Sequence, residues 1–190
     1  MLNASLLFDK ARLITRTADS TADMVRFAER LGIIVHFHSN FGGVLGVYTY
    51  QIRDRFILLN DQLDGALLRM VVAHEIGHDA LHREIAASVG FSERALFQKK
   101  GQTELEANII AAHILIPNED ILTAVEDKRT IYEMGRLFGV DPNLVLIKMR
   151  EMNRMGENLY IPDEADSCFF KRLSCKNPLM IGAAVHIDNT

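Results

Sequence analysis

Cysteine is scarce in this chain, with only Cys168 and Cys175, both near the end. Two late thiols cannot build the disulfide framework of a small secreted domain, and they suit a reducing compartment as free side chains. Charge of one sign is also missing. A formal net charge of −4 supplies no large positive field of the kind that draws a protein onto nucleic acid. No apolar run is long enough to cross a bilayer; the longest, around residues 109–117, is interrupted by His113. The first residues, MLNASLLFDKARL, lack the long apolar stretch and small-residue cleavage site of a secretory leader. What the chain does have is core material: 48% of its 190 residues are hydrophobic. One folded, soluble, cytoplasmic unit with no membrane association is expected.

Residues 20–32 carry apolar side chains at Met24, Phe27, Ala28 and Leu31, which is helical spacing, with Ser20 or Thr21 as the expected N-cap and Gly32 as the stop. Three short β-rich runs follow at 33–38, 44–50 and 55–60, separated by turn residues, and read as a small antiparallel meander. From residue 64 the period lengthens. Leu67, Leu68, Val71, Val72, Ile76 and Leu81 place a long helix over 64–82. Residues 93–100 read as a short polar helix or loop. A helix over 103–116 is expected to open at an N-cap Thr103, with Glu104 and Glu106 in its first turn, and to end at Pro117. Residues 131–153 read as two helices around Gly139-Val140-Asp141-Pro142, with Asp141 as N-cap and Pro142 at the first helical position. That spacing is helix-turn-helix-like. The expected organisation is a core over 1–118, a helical extension over 119–155 and a tail over 156–190 to which no structure is assigned.

The chemistry centres on His74-Glu75-Ile76-Gly77-His78, an H-E-x-x-H within the 64–82 helix. Four residues are slightly more than one helical turn, so both imidazoles leave the same face and can grip one ion. Neutral imidazole nitrogens suit zinc, and Glu75 reaches the rim of the same position. There it can take a proton from water and pass it to a leaving amine. A catalytic zinc needs a third protein ligand and one open position. His82 continues the same helix and cannot readily turn back, so it is expected at the rim or behind a ligand, or as an ordinary helix-end histidine. Glu104 and Glu106 remain. They differ by about 200° around a helix, so only one can face the metal. Glu106 shares its face with Ile109, Ile110 and His113, the more apolar stripe, and is the choice, with Glu104 in reserve.

The run from Asn60 through Arg69-Met70-Val71-Val72-Ala73-His74-Glu75-Ile76-Gly77-His78 to His82, then Glu104-Leu105-Glu106-Ala107-Asn108-Ile109-Ile110-Ala111-Ala112 to Pro117, resembles the ImmA/IrrE family of metallopeptidases. Leu137-Phe138-Gly139-Val140-Asp141 and the following helix resemble it too, and the similarity covers roughly residues 25 to 155. The resemblance implies a zincin-like α+β core, its small antiparallel sheet packed on the HExxH helix, followed by a helix-turn-helix-like piece. It implies one Zn2+ per chain held by His74, His78 and Glu106, with Glu75 as the catalytic acid. It further implies cleavage of a helix-turn-helix repressor of a mobile element or stress response. Two positions depart from the family pattern: His113 stands where a small or non-titrating residue is expected, and Asp79 where a small or apolar one is.

Other residues have two readings each. Arg55 and Asn60, on the strand before the metal helix, are candidates for gripping an extended substrate, or parts of an interior strand. Tyr48 could donate to a developing oxyanion, or be a buried structural tyrosine. His36 and His38 alternate on a strand as ordinary half-exposed positions. Asn108 could orient a ligand or cap helix packing. Cys168 and Cys175 with His186 lack metal-site spacing. The rival functions are a DNA-binding regulator using 131–153, where Glu133, Asp141 and Glu151 dilute the basic residues, and a non-catalytic partner-binding module of a two-gene system.

Overall fold

The computed structural model describes residues 3–16, 23–39, 41, 43–63, 65–88 and 93–161, with the main chain alone at 88 and 93–100. The expected caps Ser20 and Thr21, and Cys168, Cys175 and His186 of the tail, lie outside the described residues. The fold is α+β: three strands and eight helices among the described residues.

Helix α1 (Ala4–Thr15) opens at Asn3, whose side chain accepts from the Ser5 N–H at 3.0 Å, and buries Ala4, Leu7 and Ala11. Helix α2 (Met24–Arg30) is capped by Asp23 and buries Met24, Phe27 and Ala28, the stripe its spacing predicts. Strands β1 (Ile34–His38), β2 (Gly46–Gln51) and β3 (Asp54–Asn60) make one sheet in the order β1-β3-β2. β2 and β3 are an antiparallel hairpin, but β1 runs parallel to β3, so the sheet is mixed and not the expected meander. The reason lies in β3, which contributes the fully buried Ile57 and Leu59. The most apolar strand gains most from neighbours on both edges and takes the centre. The hairpin turns on Ile52 and Arg53, with φ of 50° and 70°. That left-handed pair matches strand twist, although it places a β-branched residue where Asn or Gly is easier.

Helix α3 (Gly65–Leu81), which carries the HExxH run, is buried continuously from Met70 to Gly77, because the sheet covers one side and helix α5 another. A short helix α4 (Arg83–Ser88) follows after a break at His82. Helix α5 runs from Glu93 to Leu115 without interruption. Thr103 is therefore not an N-cap, and Glu104 and Glu106 lie mid-helix instead of in a first turn. Gly101 inside a helix costs only about 1 kcal/mol against Ala, too little to stop it.

Helix α6 (Asn118–Glu126) leaves Pro117. Helices α7 (Ile131–Phe138) and α8 (Pro142–Arg154) have the expected punctuation: a Thr130–Glu133 capping box, Gly139 left-handed at φ 63°, Asp141 as N-cap and Pro142 inside the first turn. They are not a separate appendage, for Leu144, Val145, Ile147, Met149 and Met152 of α8 enter the same apolar cluster as α1, α3 and α5.

Between α5 and α8 lies one polar pair. Lys148, 1% exposed, donates from Nζ to His113 Nδ1 at 2.9 Å, and Phe8 of α1 packs edge-on against the imidazole. Burial pulls Lys148 down to about 7, against some support from Glu119, and burial with the Lys148 charge pulls His113 down to about 3. The unfolded chain, its lysine near 10.5, is then the better proton binder between those values. Stability should therefore rise from pH 7 towards pH 10, and below about pH 7 the buried charge is felt in full. The pair Lys148→Met with His113→Leu is expected to remove this contribution to the slope. At pH 7 it should gain on the order of 1 kcal/mol, measured by urea unfolding at pH 7 and 9.

Candidate metal centre

His74 and His78, one turn apart on α3, direct their Nε2 atoms together at 3.1 Å. A carboxylate of α5 closes the third side: Glu104 Oε2 is 3.5 Å from His74 Nε2, and Glu104 Oε1 is 3.6 Å from His78 Nε2. Zinc bound at about 2.0–2.1 Å by tetrahedral ligands sets neighbouring donors roughly 3.3 Å apart. The three separations bracket that value, and these are the residues among those described whose donor atoms could hold one ion.

Hydrogen bonding prepares the donors. His74 Nδ1 meets Asn108 Oδ1 at 2.8 Å, and an amide oxygen can only accept, so Nδ1 carries the proton and Nε2 presents its lone pair. Burial opposes protonation of His74, yet Glu104, Glu75 and Asn108 outweigh it and raise its pKa. Burial and the neighbouring His74 push His78 down to about 3. One side of the donor set attracts positive charge and the other stays a neutral imidazole, which is what a cation needs. The residues fit zinc.

Glu75 is buried and directed toward β2. Burial lifts its pKa to about 7, while His74 and the main-chain N–H of Tyr48 hold it from going higher. A carboxylate titrating near neutrality is well matched to taking and returning a proton at that pH. Gly46 makes the approach possible. A Cβ there would fall 2.7 Å from Val71 Cγ1 and 3.1 Å from Glu75 Oε1.

The structure brings His74, Glu75 and His78 together as expected, but it places Glu104 beside the histidines and not Glu106. Glu106 is buried, as its apolar stripe indicated, and faces His82 Nε2 at 3.2 Å and Gln102 Nε2 at 2.9 Å. The stripe criterion finds the side that enters the core. A metal that must keep one position open sits at the rim, where the half-buried Glu104 lies.

The proposed substrate-contacting residues have partners inside the fold. Asn60 donates to Val44 O at 3.2 Å and accepts from the Gln62 N–H at 2.9 Å. Arg55 donates to Asp79 Oδ2 at 3.0 Å and to Leu31 O; Tyr48 donates to Asp79 Oδ1 at 2.8 Å. Asp79, the departure after the motif, thus ties β2 and β3 to the end of α3. Two further positions escaped the residue reading, Gly46 and Gly77. A Cβ at Gly77 would lie 2.6 Å from Ala107 O, so its hydrogen is what lets α5 approach α3. The available signal was glycine inside a strand and inside a helix, where it otherwise only destabilises.

A short sheet packed on an HExxH helix, with a carboxylate arriving from a later helix, defines the zincin-like class. Residues 28–150 match the IrrE N-terminal-like domain of Peptidase_M78, and the chain belongs to that family. It is also 30% identical over 105 residues to "Uncharacterized immunity region protein 2" of Bacillus phage phi105. That match takes in 55% of this chain and 65% of the phage protein, short of two thirds of its length.

Removing Asp79 should be costly, since it would leave Arg55 and the Tyr48 hydroxyl without their shared acceptor. Asp79→Ala is expected to lose on the order of 3–5 kcal/mol. Tyr48→Phe should lose about 1 kcal/mol. Arg83→Ala, at the half-exposed partner 3.2 Å away, should lose less still. Urea unfolding of the three variants checks the order, and a silent Asp79→Ala would remove the network from the account of the fold.

Proposed function

We propose that the chain is a zinc-dependent endopeptidase whose ion is held by His74, His78 and Glu104, with Glu75 as general base and acid. The observation that carries this reading is the convergence of three donor atoms at separations suited to one tetrahedral ion, beside a buried carboxylate whose pKa lies near 7. Zinc would supply Lewis acidity toward a water and the scissile carbonyl. Glu75 accepts the proton of the attacking water and delivers it to the leaving nitrogen. Having accepted the proton of water, the same carboxylate is the acid that returns it. His74 and His78 remain neutral, oriented donors throughout. The substrate class we infer is a helix-turn-helix repressor, cut in the cytoplasm. The resemblance to ImmA/IrrE and the phage immunity-region relative both support it.

A DNA-binding role for α7 and α8 finds less support. A reading helix needs a free face, but α8 is buried from Leu144 to Met149 and again at Glu151 and Met152. Its Lys148 is enclosed, and Arg154 is held by Glu151 at 2.8 Å. The formal net charge of −4 points the same way.

About one zinc per chain is expected on elemental analysis. Glu104→Gln should release it, whereas Glu106→Gln should retain most of it. The reverse result would return the ligand role to Glu106.

Glu75→Gln should keep zinc and fold while slowing cleavage on the order of 10²–10⁴-fold. The readout is electrophoresis of small helix-turn-helix repressors, each incubated with purified wild-type or Glu75→Gln protein. Unchanged cleavage by Glu75→Gln would end its assignment.

A further inference from the structure

Behind His78 lies a second line of contacts that the ligand set does not use. His78 Nδ1 is 3.0 Å from His82 Nδ1. On the far side of that ring, His82 Nε2 is 3.2 Å from Glu106 Oε2, and Glu106 Oε1 accepts from Gln102 Nε2 at 2.9 Å. His82 and Glu106 are both buried, so the chain of contacts is shielded from competing water.

The proton positions follow from the far end. A carboxylate oxygen can only accept, so a neutral His82 carries its hydrogen on Nε2 and presents a lone pair at Nδ1. His78 must then donate from Nδ1, which leaves Nε2 with the lone pair facing His74 Nε2 and Glu104. With the opposite tautomer, His78 would aim an N–H at the metal position. His74 obtains the same setting from Asn108 in one step; His78 obtains it in two.

We propose that His82 and Glu106 form a fixed relay that selects the His78 tautomer and aims its Nε2 at the metal, making both positioning residues and neither a ligand. The relay rests on the zinc reading above. It also accounts for a buried carboxylate on α5 that does not reach the two ligating histidines, and for a histidine at the break between α3 and α4.

The test uses the full chain. It measures zinc affinity by chelator competition, the visible spectrum of the Co2+ form and the melting temperature of the chelator-treated protein. His82→Phe and Glu106→Met should each weaken zinc about 10- to 100-fold and alter the cobalt spectrum, the usual range for groups that orient a ligand. Because the two act in series, the double variant should lose no more than the worse single one. Glu106→Gln should recover most of the affinity lost in Glu106→Met, since its amide oxygen still accepts from His82. If His82→Phe does not fold, the Glu106→Gln and Glu106→Met comparison carries the same question. Lower melting temperatures with unchanged zinc affinity and spectrum, or losses that simply add, would overturn the relay while leaving the zinc reading intact. Zinc binding indifferent to His74→Ala and Glu104→Gln would overturn the zinc reading, and the relay with it.

Discussion

The contact on which the site depends is that of Gly77 with Ala107, where α3 and α5 approach so closely that no side chain fits between them. On a helix, the residues three before and one after a given position lie about 60° and 100° round to the same side of it. Counting from Gly77 gives His74 and His78; counting from Ala107 gives Glu104 and Asn108. All four therefore flank a single point of backbone contact, and the distances among them are set by two rigid helices. One turn further along, the same register brings Glu106 to His82. A side chain at 77 would have to push α5 away, and it would carry Glu104 and Asn108 with it.

The second element of the site is strand β2. It serves Glu75 twice, through the space at Gly46 and through the Tyr48 N–H, while the Tyr48 hydroxyl is fixed to Asp79 at the end of α3. Strand and helix are thereby joined on either side of Glu75. Buried groups with every hydrogen bond made hold their geometry because leaving one unmade costs about 1–3 kcal/mol. That cost favours a fixed Glu75, the setting that the proposed proton transfer requires.

The clustering of His74, Glu75 and His78 was legible in the sequence because it depends on one helix and one period. Glu75, His74 and His78 follow from four-residue spacing alone. Glu104 did not follow, since the choice between two acids on α5 depends on where another helix crosses it, and that crossing is set by Gly77, 27 residues earlier in the chain and invisible to periodicity. The order of the sheet was hidden for a related reason. The polar stretch 51–54 separates β2 from β3, but the pairing of β1 with β3 rests on competition among strands for the central place. Helix α1 had legible signals, an Asn3 cap and an Ala4, Leu7, Ala11 stripe. Asp79 and His113, which departed from the family pattern, each enter a buried polar contact, with Tyr48 and with Lys148.

Helices α7 and α8 show that spacing alone does not assign a role. Two helices around a glycine turn suggest a motif that presents its second helix outward, yet α8 carries apolar residues on nearly every side. Such a helix can only be a wall of the core. Arg69 of the metal helix makes that wall part of the site's support, donating to Phe138 O at the end of α7 at 2.9 Å and to Leu115 O at the end of α5 at 3.3 Å. Those carbonyls belong to the last turns of their helices, where intrahelical donors run out and a cation is favoured. One guanidinium thus anchors α3 to both helices at the end remote from Glu104, while the Gly77 contact fixes them near it. Two points of attachment along α5 prevent it from pivoting, and a helix that cannot pivot keeps its carboxylate at a constant distance from the two histidines.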